Sequence, residues 1–168
     1  EVNAILNFSH NWDGIAVTNA DFNTIKFTND NGEQMSITKL RYLVSNITFK
    51  KSNGETYVLN DYNLVDVTNN TNLSFSPTST IPTGTYSSVA FTFGFNNDDN
   101  YNNNYNDLNA ASWIVPNMLG GGYHYMQLEG KFIDNTTTEI GYAYHVIRAV
   151  DNTKTPLEFQ DTFFEVDL

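Results

Sequence analysis

Apolar residues recur at every second position through most of this chain, and no stretch shows the 3.6-residue period of an amphipathic helix. In "VNAILNFSHNW" one parity holds Ala4, Leu6, Phe8, His10 and Trp12, and the other holds Ile5, Asn7, Ser9 and Asn11. That pattern makes a half-buried strand. "TIKFTNDNGEQMSI" reads as strand, turn at Asn31-Gly32, strand. "LRYLVSNITFKKSNGETYVLNDYNLVDV" reads as a long strand, a turn at Asn53-Gly54 and a return strand. Asn-Gly between alternating runs is a strong hairpin signal. "GTYSSVAFTFGF" adds a strand with Tyr86, Val89, Phe91 and Phe93 as core candidates, and "YHYMQLEGKF", "EIGYAYHVIRAV" and "TFFEVDL" complete the set. Asparagine is abundant and works against helices while favouring turns. The expected fold is all-β: an antiparallel β-sandwich, jelly-roll-like or Greek-key, with long loops and little helix.

A chain of 168 residues fits one domain, taken as 1–168. With 19 Asp and Glu against 8 Lys and Arg, the net charge is −11. Such a surface repels phosphate backbones and anionic lipid, so neither nucleic acid nor a membrane surface is expected as partner. No apolar run approaches the roughly 20 residues that span a bilayer. There is no cysteine, which removes disulfides and thiolate chemistry. The chain opens on strand-like "EVNAILNF" and ends on "FFEVDL", and reads as trimmed at both ends.

Alternation fails over "NNDDNYNNNYNDLNAAS", residues 96 to 112, a long polar loop with one helical turn expected near Leu108 to Ser112. Its carboxylates, Asp98, Asp99 and Asp107, suit Ca²⁺ in chemistry, but the loop lacks the glycine and glutamate of an EF-hand. Calcium in the loop 96–107 is therefore a secondary expectation. The triple glycine at 120–122 leads into a strand with no Lys-Ser/Thr after it, so it is read as a bend or bulge and not a phosphate loop.

Three histidines are present. Strict alternation puts His124 with Met126, Leu128, Gly130 and Phe132. It puts His145 with Ala143, Ile147 and Ala149, and His10 with Leu6 and Phe8. All three then lie on inward parities. A buried imidazole needs partners for its nitrogens, and a metal is one such partner. A thioether would favour Cu(I). Two hairpin registers are open. A two-residue turn at Asp134-Asn135 sets His124 opposite His145, with Cβ atoms about 5 Å apart. A loop from Asn135 to Thr138 pairs His145 with Leu128 and leaves His124 about 13 Å away. The candidate metal ligands are His124 and His145, with His10 and Met126 as additions.

Trp113, Tyr123 and Tyr125 are read first as core or rim packing, with an aromatic platform under a sugar as the alternative. No G-x-S-x-G elbow and no facing pair of acids occurs, so no enzymatic constellation is expected.

The ordered set "LRYLVSNITFKKSNG", "YNLVDV", "GTYSSVAFTFGF", Trp113, "GGGYHYMQLEGKF" and Tyr144-His145 resembles the MbnP-like family. These domains are related to the copper-binding protein encoded beside methanobactin genes. The resemblance spans nearly the whole chain and is greatest to the branch common in Bacteroidetes, where such domains are often exported lipoproteins. It implies an exported, non-enzymatic copper-handling β-sandwich of the periplasm or cell surface. It implies a partner too: a dihaem peroxidase, or an outer-membrane transport protein. In some relatives a tryptophan near the metal is oxidised to kynurenine, which makes Trp12 or Trp113 a candidate modification site. The alternative is a cell-surface module that binds a glycan or protein and keeps its histidines for structure.

Overall fold

A single long strand organises the molecule, for which the computed structural model describes residues 1–168. The strands in chain order are β1 (Leu6–Asn7), β2 (His10–Trp12), β3 (Ile15–Val17), β4 (Phe27–Thr28), β5 (Gln34–Lys50), β6 (Thr56–Asp66), β7 (Ser74–Phe75) and β8 (Ser88–Phe93). After the one short helix, α1 (Asn106–Ala110), come β9 (Met126–Ile133), β10 (Glu139–Val146), β11 (Ala149–Asp151), β12 (Glu158–Gln160) and β13 (Phe164–Asp167). Every pairing is antiparallel. The all-β antiparallel fold expected from the alternation is the fold found, and α1 falls at the expected helical turn.

The 17-residue β5 pairs on one edge with β4 and β6. Its other edge pairs with β9 over Met35 to Tyr42 and then with β8 over Val44 to Lys50. β10 and β13 extend this seven-stranded sheet. The N-terminal segment lies across one face with the small ribbons β1–β7 and β2–β3. From Ala4 to Trp12 the even residues are half-buried and the odd ones exposed, as alternation predicts. Beneath them Val17, Phe22, Phe27, Ile37, Val65 and Val67 form one core cluster, joined by Leu40, Tyr42 and Leu128. The opposite face carries a second cluster of Leu43, Phe95, Leu108, Trp113, Tyr123 and Tyr125. These two layers of burial are what period-two patterning demands of a sheet covered on both sides.

Three hairpins close with one turn geometry. Asn29 N donates to Glu33 O at 3.1 Å and Gly32 N to Asn29 O at 2.9 Å. The same two bonds recur as Lys51 to Glu55 with Gly54, and as Asp134 to Thr138 with Thr137. The fourth residue of each loop is left-handed, with φ of 90° at Gly32 and Gly54 and 65° at Thr137. The third loop therefore has five residues, and neither register read from the sequence is the real one. His145 stands opposite Gln127, and Glu139 opposite Ile133.

Candidate histidine site

His124 and His145 meet although the β9–β10 register does not pair them. His145 sits near the end of β10, on the face of Gln127 and Glu129. His124 lies before β9, in a segment that pairs with residues 113 to 115: Val115 N donates to Gly122 O at 2.9 Å, and His124 N to Trp113 O at 3.0 Å. Tyr125 N also donates to Val146 O at 2.7 Å, while Met126 is the register partner of Val146. Two residues thus stand opposite one, the count of a β-bulge. The extra residue cancels the alternation and turns His124 to the face of Gln127 and Glu129. Strict parity had placed it with Met126 and Leu128. Met126, opposite Tyr42 and Val146, points to the other face.

The glycines make this route possible. Gly120, Gly121 and Gly122 all have left-handed φ, at 99°, 63° and 76°. A Cβ on Gly122 would lie 2.4 Å from Asn100 Oδ1, and one on Gly121 2.8 Å from the Asn102 amide. The Asn-rich loop is folded down onto them. Asn100 is fully buried; its Oδ1 accepts from Tyr123 N at 2.7 Å and its Nδ2 donates to Tyr125 Oη at 3.2 Å. The buried Arg148 donates to Gly120 O and Asn100 O. The loop that broke the alternation is a clasp that fixes the approach to His124.

The two imidazoles stand 5.1 Å apart, centre to centre, at 88°. His124 is 9% exposed, whereas His145 lies at the surface, so the expectation that all three histidines face inward fails for His145. His124 Nδ1 is 3.0 Å from Trp113 O, and His145 Nε2 is 2.9 Å from Glu129 Oε1. A carbonyl and a carboxylate only accept, so a proton sits on each of these nitrogens. In its neutral form each ring therefore keeps its lone pair on the other nitrogen, His124 Nε2 and His145 Nδ1. Glu129 Oε1 also accepts from Lys39 Nζ at 2.9 Å, and this lysine, then His145, holds the carboxyl below its ordinary value.

Trp113 forms the wall beside His124, with ring centres 5.6 Å apart. It is fully buried, and its Nε1 has no hydrogen-bond partner. The Arg41 guanidinium lies 4.9 Å from its ring and donates to Gln127 Oε1 at 2.6 Å and Ala111 O at 3.2 Å. Sequence reading missed Lys39, Arg41 and the role of Glu129. Their alternating spacing on β5 and β9 marks a shared face but not a shared contact.

The remaining candidates lie elsewhere. His10 Nε2 is 2.8 Å from Tyr42 Oη on the opposite face, and Trp12 Nε1 donates to Thr28 O at 2.9 Å. Trp113, Tyr123 and Tyr125 are 0% exposed, so they pack in the core, and the candidate sugar platform is not formed. Strict alternation back from Gln127 and Glu129 would put Tyr123 and Tyr125 on the polar parity; the bulge and the clasp bury them instead. Asp107 accepts from Tyr62 Oη at 2.5 Å and Asp99 from Asn96 Nδ2 at 2.9 Å. No group of three or more His, Cys, Asp or Glu side chains is arranged to hold a metal, in the loop 96–107 or at the histidine pair.

Burial pushes the pKa of His124 down, as it does that of His10. The unfolded chain then takes up the proton more readily than the folded one. The stabilisation is whole above the ordinary imidazole pKa of about 6.5 and drains as the pH falls from there through the lower folded value. Thermal melts at stepwise lower pH check this: wild type is expected to lose more stability on acidification than His124→Gln.

The MbnP family model matches residues 2–167. Among solved structures, MbnP from Methylosinus trichosporium is similar, with a TM-score of 0.69 and 14% identity over 99% of this chain and 71% of that one. At that identity the likeness is one of fold. No curated protein sequence matches the chain.

Proposed function

Because the chain belongs to the MbnP family, we propose that it is a copper-handling protein, without catalytic activity, that grips one copper ion between His124 and His145. The observation that carries this reading is the pair itself. Two imidazoles bound to one ion at about 2 Å, near a tetrahedral angle, have centres about 5 Å apart. These two stand 5.1 Å apart, each with one nitrogen already bonded to an acceptor and one lone pair left.

The donor set favours copper over its competitors. Structural zinc takes four protein ligands and catalytic zinc three; the one carboxylate beside the pair, Glu129, is already bonded to His145 Nε2 and Lys39 Nζ, and no group of three is arranged to hold an ion. Copper takes imidazole ligands at low protein-ligand counts, and at the near-tetrahedral angle this spacing sets, open positions remain for an exogenous donor. Calcium and magnesium want oxygen. The chain has no cysteine to compete for the ion. The acidic surface draws cations toward the site. His124 is fixed in the core while His145 stands at the surface, so the ion enters from the His145 side.

Of the two tryptophans, only Trp113 lies beside the pair, so the oxidation to kynurenine that the resemblance implies is assigned to Trp113. An intact indole Nε1 is a donor only and cannot ligate. The same reading carries an exported location and an exported partner, either the dihaem peroxidase or the transport protein. Untagged protein titrated with Cu(I) is expected to take up one equivalent. Failure to bind copper in either oxidation state overturns the proposal.

A further inference from the structure

Resting on that reading, we infer that Glu129 is a positioning residue: it fixes His145 so that Nδ1, and not Nε2, is offered to the ion. The two imidazoles are oriented by different means. His124 is held by a main-chain carbonyl inside the core, and its ring packs against Trp113. The exposed His145 has one hydrogen-bond partner, the Glu129 carboxylate. Nothing else bonds that ring, and a surface imidazole without the bond would turn about χ1 and χ2 and exchange its proton between the two nitrogens.

Glu129 is itself held. Lys39 on β5 and His145 on β10 both bond the same Oε1, from the strands on either side of β9. Lys39 and Glu129 are register partners, so the link runs straight across the sheet. It passes beside the bulge at Ile37 to Lys39, which resets the register of β5 against β9. The lysine is as exposed as the histidine, at 36% and 37% of the side chain, while Glu129 between them is at 27%. The carboxylate is thus the less exposed acceptor between two more exposed donors. Ligating histidines commonly donate their other ring N–H to a carboxylate or carbonyl, and loss of that acceptor costs roughly 10- to 100-fold in metal affinity.

The experiment has two readouts on wild type, Glu129→Ala and Glu129→Gln. The first is long-range ¹H–¹⁵N correlation of the His145 ring in metal-free protein, recorded at alkaline pH so that the neutral ring is observed. Wild type is expected to show one tautomer with the proton on Nε2, and Glu129→Ala the averaged shifts of two. The second is Cu(I) affinity by competition with a chelator: Glu129→Ala is expected to bind roughly 10- to 100-fold more weakly, and Glu129→Gln, which keeps the acceptor, to recover most of the loss. Averaged shifts in wild type, or an unchanged Cu(I) affinity in Glu129→Ala, overturn the inference. The tautomer is read without metal, so it judges the orientation even where copper fails to bind, and that failure counts against the copper reading alone.

Discussion

Replacing either His124 or His145 by alanine is expected to abolish tight copper binding, lowering affinity by more than the roughly 100-fold upper range for loss of an outer partner. With two ligands in the site, loss of one leaves a single imidazole that holds copper no better than a surface histidine. Folding separates this from collapse. His145 lies at the surface, so His145→Ala should change stability by no more than about 0.5 kcal/mol. His124→Ala removes a buried hydrogen bond to Trp113 O, and about 1–2 kcal/mol is expected to go with it. Both should keep the β-sheet circular dichroism of wild type. His10→Ala should bind copper normally, because its ring is bonded to Tyr42 on the other face. Copper titrations indistinguishable from wild type in both His124→Ala and His145→Ala would show that the pair is an ordinary aromatic contact.

The largest stability effect is expected from a single methyl at Gly130. This residue sits in the middle of β9, opposite Ile37 on one side and Tyr142 on the other. A Cβ there would stand 2.0 Å from Ser36 O and 2.7 Å from Tyr142 Oη. The tyrosine hydroxyl donates to that same carbonyl at 2.9 Å, across the back of the glycine. The near atom is main chain of the central strand, so it cannot swing aside. Gly130→Ala is expected to destabilise by more than about 3 kcal/mol in chemical denaturation. Gly141→Ala is the control one strand over. Its nearest neighbour would be 3.9 Å away, and it should stay within about 0.5 kcal/mol of wild type. Equal midpoints for the two variants would refute the steric account.

The strands were legible because alternation and burial are one physical fact seen from two ends. The even residues from Ala4 to Trp12 are half-buried even where β1 and β2 are not continuous. The site was less legible, for two local reasons. The β9–β10 loop uses Thr137 in the left-handed position that Gly32 and Gly54 fill in the other two hairpins. Its signature is instead Asp134, whose Oδ1 accepts from Thr136 N and Thr138 N as Asn29 Oδ1 does from Asn31 N and Glu33 N. That shared side-chain pattern would have given the five-residue loop. The bulge at Tyr125 and Met126 left no comparable mark. Glycine runs announce freedom of the backbone but not where the count of residues changes.

From Met126 onward the pairing of β9 with β5 and β10 keeps its own register, whereas the imidazole's address is set by the bulge at Tyr125, which is bonded to Leu43 and Val146. Removing one residue between Gly122 and Met126 takes out the extra residue that turns His124, but it also removes a core tyrosine or the histidine itself. The same sandwich can therefore carry a histidine at this place in the chain and still not present it beside His145, since a change in the count of residues there decides the face.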